Sequence, residues 1–263
     1  MTPNLSREAL QKILQNQDIE QLSVSQIAKL FRNEAGLADH RPDGVCQIDP
    51  RNGDRILYSS ARAARPHDNR PDDEADSAKA PEDSAPDCLI CRGETTGVLD
   101  VANLSQGFTF INKNLYPVLY PLAFASNDGG ADPASSADGP PGVLARGLHF
   151  LQWTSSFHNQ DWHNMAQTDR VVVLKRLAAL ERKLLLGTAA DTSISPPWGD
   201  YEHRSGFVSI IKNYGHRVGG SLAHGHQQIG FSNVMPGRFR NNWRFEIDRG
   251  ETFADFMLRQ NPA

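Results

Sequence analysis

The chain has 263 residues, 39% of them hydrophobic and 22% charged, a composition that supports a globular core without disulfide staples. No run approaches the ~18 consecutive apolar residues of a membrane helix, and a net charge of −4 argues against a generic nucleic-acid binder. Three cysteines are too few, and odd in number, for a disulfide framework, so a reducing cytoplasm is the expected compartment.

The opening stretch carries Arg7, Glu8 and Lys12 and has no apolar run, so no secretory leader is expected. Helical spacing follows at Leu5 to Gln15 (Leu10, Ile13, Leu14) and at Ser25 to Glu34 (Ile27, Leu30, Phe31), which makes residues 1–36 an N-terminal helical segment. Arg55 to Tyr58 reads as a short strand. Residues 67–87 hold eight acids, two bases and no large apolar side chain, so a mobile loop is expected there. Without that loop the remaining chain is mildly basic, which suits an anionic small molecule. Gly107 to Asn112 is another strand, and the Gly-, Pro-, Ser- and Asp-rich residues 126–142 form a second expected mobile loop. Leu148 to Thr154 and Phe207 to Lys212 are stronger strands. Between them Thr168 or Asp169 can cap a helix through Leu186, with Gly187 as its stop and Val173, Leu174, Leu177, Leu180 and Leu184 as its apolar row. The order predicts an α+β fold with an antiparallel sheet. Residues 37–240 form its main domain and 241–263 a C-terminal extension.

Residues 213–231 read NYGHRVGGSLAHGHQQIGF. As a strand, His224, His226 and Gln228 share one face, because side chains alternate with a period of two. Gly219 and Gly220 permit close backbone approach to an anion, and their N–H groups with the Ser221 hydroxyl can hold phosphate oxygens. An imidazole can attack phosphorus and form a covalent intermediate. A neutral amide beside it can donate to the phosphoryl oxygen. A surface feature or a structural metal site is the alternative reading of the His-Gly-His run. Cys88 and Cys91 have the spacing of half a zinc site, and the single remaining Cys46 means that closure must use histidines or carboxylates. A redox pair, or two unrelated buried thiols, are the alternatives there.

Asn213, Gly219, Ser221, His224, His226 and Gln228 together resemble the active-site strand of galactose-1-phosphate uridylyltransferase, a branch of the histidine-triad superfamily. Gly225 stands where that branch usually has proline. The resemblance implies a histidine-triad-like antiparallel sheet with packed helices. It also implies that His226 is the nucleophile, that Gln228 steadies the nucleotidyl phosphate, and that Ser221 and Asn213 contact phosphates or sugar. In that family the cysteine pair joins the first histidine of the motif and a histidine lying between a strand and a helix, which implies a structural zinc site of Cys88, Cys91, His158 and His224. His163 and His149 are competitors for the His158 place. Arg62 and Arg65 match the family's R-x-x-R-P turn after the Asp49–Gly53 strand and imply phosphate contacts. Asn114 and Tyr116 match its nucleoside-contacting element, where Leu115 replaces an acid.

The expected activity is nucleotidyl transfer between nucleotide sugars and hexose 1-phosphates, as in galactose metabolism, through a nucleotidyl-histidine. Alternatives are a phosphorylase that cleaves an ADP-sugar or a dinucleoside polyphosphate with inorganic phosphate, and a non-catalytic zinc-stabilised nucleotide-binding protein. The chain matches one of the two tandem halves of the uridylyltransferases. The expected partners are a nucleotide sugar and a sugar phosphate, with neither nucleic acid nor membrane, in a possible homodimer.

Overall fold

The computed structural model describes residues 4–38, 45–66, 88–119, 143–190, 206–215, 218–232 and 234–261. The loops anticipated at 67–87 and 126–142 lie outside the described residues. In chain order the strands are β1 (Val45–Ile48), β2 (Arg55–Tyr58), β3 (Val98–Asn103), β4 (Phe108–Lys113), β5 (Val143–Leu144), β6 (Gly147–Trp153), β7 (Phe207–Ile211) and β8 (His226–Ser232). The α-helices are α1 (Arg7–Ile13), α2 (Val24–Arg32), α3 (Ala35–Ala38), α4 (Gln167–Ala190), α5 (Gly237–Arg249) and α6 (Phe253–Gln260). The main sheet has the order β3-β4-β6-β8-β7 with every pair antiparallel, and a smaller sheet has the order β2-β1-β5. The fold is therefore α+β, as the order of sequence patterns predicts.

The main sheet has two faces with different tasks. All six residues of β4 are buried, so neither face of its centre meets solvent. On one face Ile111, Leu148, Phe150, Ile229 and Phe231 pack with Ile27 and Phe31 of α2 and Leu177, Leu180 and Leu184 of α4. The Phe31 and Phe150 rings meet edge to face at 4.9 Å. On the other face the register places Phe110 opposite Trp153 and Trp153 opposite His226. Leu5, Leu10, Cys88, Ile90, Phe108, Phe110 and Trp153 form a second apolar cluster there. The N-terminal helices thus serve both layers. α1 is capped by the Ser6 hydroxyl and α2 by a capping box of Ser23 and Gln26.

Three expectations for α4 need correction. It runs through Gly187 to Ala190. A Cβ on Gly187 would lie 2.7 Å from Val24 Cγ2, so this glycine permits close approach of α2 instead of ending α4. Thr168 and Asp169 both lie inside the helix, which starts at Gln167, so neither is its N-cap; the Asp169 carboxylate accepts from the Ser105 N–H at 2.8 Å and hydroxyl at 2.6 Å, tying down the β3–β4 turn. Leu174 is 50% exposed and does not join the buried row of Val173, Leu177, Leu180 and Leu184. Among the described residues no helix is long and apolar enough to cross a membrane.

Lys113 is fully buried at the end of β4, where its Nζ meets Glu34 Oε2 at 2.9 Å. The Gln15 amide oxygen and the Gly97 carbonyl accept its other protons. Burial lowers its pKa, and Glu34 opposes that shift by favouring the ammonium. Glu34→Gln removes the countercharge and leaves the ammonium dehydrated. The expected loss is about 3 kcal/mol, read from urea unfolding midpoints, with an unchanged midpoint refuting it.

Candidate metal cluster and phosphate cleft

His224 closes the loop that leads into β8, and its ring is completely buried. Its Nδ1 lies 3.6 Å from both Cys88 Sγ and Cys91 Sγ, and His158 Nδ1 lies 3.8 Å from Cys91 Sγ. All four ligand atoms fall within 4.8 Å of one another. A tetrahedral ion with metal–sulfur bonds of about 2.3 Å and metal–nitrogen bonds of about 2.05 Å has sulfur–nitrogen edges of about 3.6 Å. The residues therefore fit a four-coordinate metal ion. The far nitrogen of His224 donates to the Ser155 carbonyl at 2.8 Å, which directs Nδ1 at the sulfurs. Hydrogen bonding from Cys91, with help from His158 and His224, pulls the Cys88 thiol well below the usual thiol range, and the same contact pushes Cys91 up, so the pair favours a single shared thiolate. Four protein ligands leave no open position for substrate. Of the competitors, His163 lies instead against the Tyr214 ring at 5.5 Å, and His149 is buried beside Asn114.

Two residues along, His226 is 8% exposed. Its Nδ1 lies 2.8 Å from the His224 carbonyl, which can only accept, so Nδ1 carries the proton and Nε2 has the free lone pair. Burial is the largest influence on this ring and lowers its pKa, keeping it neutral. His226 and Gln228 line a cleft with Arg62, Arg65, Asn114, Tyr116 and Ser221. Arg62 and Arg65 reach it from the one-turn 3-10 helix Ser60–Ala64 and its C-cap. Arg62 donates to the Tyr116 carbonyl at 3.2 Å and to Gln228 Oε1 at 3.4 Å. Burial, with the nearby Arg65 charge, lowers the Arg62 pKa to about 10, which leaves it cationic at neutral pH. The Asn114 side chain accepts from the Tyr116 N–H at 2.8 Å and shapes the turn after β4.

The other anticipated contacts lie apart from this lining. Asn213 borders an adjoining cavity of about 690 Å³ that shares Arg62 and Gln228 with the cleft. Gly220 gives its N–H to the Gly215 carbonyl at 3.0 Å, and the Gly219 carbonyl accepts from Arg65 at 3.4 Å. These glycines shape the loop, with Gly219 at φ +79°.

Several residues of the site carry no motif signal. Leu89, Ile90, Leu115, Leu151, Trp153 and Leu222 supply the apolar wall of the cleft. Strand alternation identifies two of them: the β6 register sets His149, Leu151 and Trp153 opposite Gly230, Gln228 and His226. Behind β8, Lys212 Nζ bonds Asp161 Oδ1 at 2.7 Å and the His226 carbonyl at 3.4 Å. The Asp161 carboxylate explains the glycine between the histidines. A Cβ on Gly225 would lie 2.6 Å from Asp161 Cγ. Gly225→Ala is expected to cost about 2 kcal/mol through overpacking, measured by thermal or urea unfolding; a neutral substitution would show that Asp161 yields freely.

No family model matches the chain, and no curated protein matches it in sequence. Solved structures similar to it include a uridylyltransferase, with 20% identity and a TM-score of 0.49 over 82% of this chain and 56% of that one. An ADP-glucose phosphorylase from Arabidopsis thaliana with bound ADP-glucose has 19% identity and a TM-score of 0.43 over 78% of this chain and 55% of that one. A GalT-like protein from Arabidopsis thaliana has 17% identity and a TM-score of 0.40 over 78% of this chain and 54% of that one. The chain spans just over half the length of these structures.

Proposed function

We propose that the chain is a nucleotidyltransferase that acts on nucleotide sugars and hexose 1-phosphates through a nucleotidyl-His226 intermediate. The observation that carries this reading is the 2.8 Å bond from His226 Nδ1 to the His224 carbonyl, which leaves Nε2 unprotonated in an arginine-lined cleft. The Nε2 lone pair attacks the α-phosphorus and forms an N–P bond. The bond from that phosphorus to the bridging oxygen breaks, and its electron pair leaves with hexose 1-phosphate. Nδ1 keeps its proton on the His224 carbonyl, which stabilises the positive ring. A phosphate oxygen of the acceptor then attacks the same phosphorus, and the N–P electrons return to Nε2. Arg62 and Arg65 offset charge on the non-bridging oxygens, and the Gln228 amide and Ser221 hydroxyl donate to them. An amide cannot deprotonate water, so Gln228 favours transfer over hydrolysis.

Leu115 lines the cleft where a carboxylate would be expected to meet the nucleoside, and this favours a second reading. In it inorganic phosphate is the acceptor, and the chain is a phosphorylase for an ADP-sugar or a dinucleoside polyphosphate. We assign zinc to Cys88, Cys91, His158 and His224, where it holds the loop before β8 and supplies structural cross-linking.

Mass spectrometry of the intact chain after separate exposure to UDP-glucose, UDP-galactose and ADP-glucose is expected to show one nucleotidyl adduct. His226→Ala is expected to abolish it. No adduct from any donor, or an adduct retained by His226→Ala, overturns the reading. Hexose 1-phosphate against inorganic phosphate as acceptor for the isolated adduct separates transferase from phosphorylase.

Elemental analysis is expected to find one zinc per chain. Cys91→Ser or a strong chelator is expected to remove it and to lower Tm by roughly 10 °C, corresponding to several kcal/mol for a chain of this length. Metal-free protein with unchanged Tm refutes the zinc assignment.

A further inference from the structure

His149 has no part in the reaction described above, yet it is a buried imidazole that lines the same cavity as Gln228. It sits on β6 opposite Gly230, next to the Leu151–Gln228 pair of the ladder. The backbone N–H of Val118 donates to its Nδ1 at 3.1 Å. An atom that accepts a hydrogen bond there cannot hold a proton, so the proton of the neutral ring is on Nε2. Burial, and then the nearby Arg62 charge, lower the pKa of His149 to about 3, so the ring stays neutral throughout the working range.

The Nε2–H needs an acceptor. Asn114 Nδ2 lies 3.3 Å from Nε2, but that nitrogen is a donor, because Asn114 Oδ1 is already committed to the Tyr116 N–H. Gln228 lines the same cavity as His149 and lies one diagonal step away on the same face of the sheet, and its side-chain oxygen is the atom there that can accept. The same Oε1 accepts from Arg62 Nη1 at 3.4 Å. Two donors of different origin therefore converge on one end of the Gln228 amide. Its NH2 end is left for the cleft that Gln228 shares with His226. A freely rotating amide would present its oxygen to a phosphate for part of the time and repel it.

We propose that His149 is a positioning residue that fixes the Gln228 amide with its NH2 directed at the phosphoryl group attacked by His226. The proposal rests on the nucleotidyl-transfer reading for its kinetic consequence, while the ring tautomer is a property of the chain alone.

The test has two arms on the full-length protein. Long-range ¹H–¹⁵N NMR of histidine-labelled protein is expected to show His149 as the Nε2–H tautomer, unchanged between pH 5 and 8; an Nδ1–H tautomer or a charged ring overturns the proposal. In the second arm, His149→Phe is expected to slow adduct formation about tenfold or more, short of the ~100-fold or larger loss seen when an oriented donor is deleted outright. Nucleotide affinity is expected to change less than about threefold. His149→Gln, whose amide can accept from Val118 and donate to Gln228, is expected to recover most of the rate. A wild-type rate in His149→Phe, or equal losses in both variants, overturns the proposal and leaves nucleotidyl transfer standing. If wild-type protein forms no adduct, the transferase reading falls, and the tautomer alone decides whether His149 holds the amide.

Discussion

The site depends on one residue being used twice. The imidazole of His224 faces two cysteine sulfurs with one nitrogen and the Ser155 carbonyl with the other, while its own backbone carbonyl receives the Nδ1 proton of His226. The orientation of the His224 peptide is therefore constrained from both ends. If the ring shifts in the sulfur cluster, the carbonyl shifts as well, and the tautomer of His226 loses its anchor. This couples a cluster that touches no substrate to the nitrogen on which the proposed chemistry depends. A buried imidazole is costly to orient by packing alone, since its two nitrogens are similar in shape and differ only in hydrogen bonding.

The sheet supplies the second constraint. Side chains of a strand alternate between faces, so β8 can present His226 and Gln228 to the cleft while Ile229 and Phe231 enter the helix-covered core. Gln227 is the exception on the core side, buried at 2% exposure. It is fully engaged: its NH2 donates to Gln152, and its oxygen accepts from Thr154, Trp162 and Lys212. Gln152 in turn donates to the Val173 carbonyl of α4. A buried polar network of this kind is satisfied in one register only, because a one-residue slip would send Gln227 to the cleft and His226 into the core. The network thus specifies the register that the site requires.

Much of this architecture is legible in the sequence. The strands β2, β4, β6 and β7 follow from alternation, and α4 from its apolar row. The sulfur–imidazole cluster combines a short-range spacing with two distant histidines, which spacing alone cannot choose among; family resemblance points to His158, and the geometry places His158 beside Cys91. β3 is hidden because it buries a charge. Asp100 is fully buried in the middle of that strand, where it accepts from the Ile19 N–H and pairs with Arg176 of α4. A pattern search that treats every acid as solvent-facing misses such a strand. Gly187 misleads for the converse reason: its small size serves helix packing, and a glycine's spelling in sequence does not distinguish a stop from a close approach.

The role of the N-terminal helices follows from the same burial logic. Their sequences carry no chemistry, yet Glu34 and Gln15, in the segments that follow α2 and α1, are the partners that allow Lys113 to remain charged inside the protein. Lys113 is adjacent to Asn114, whose backbone N–H pairs with the His149 carbonyl and whose side chain shapes the cleft wall. The charge at the end of β4 is therefore held by one layer and the turn after it by the other. Loss of these two partners would leave a poorly compensated ammonium one residue from the site, with water entry as its main relief. The helices and the cleft are in this sense one mechanical unit, joined through a buried ion pair whose removal reaches the Asn114 turn before it reaches His226.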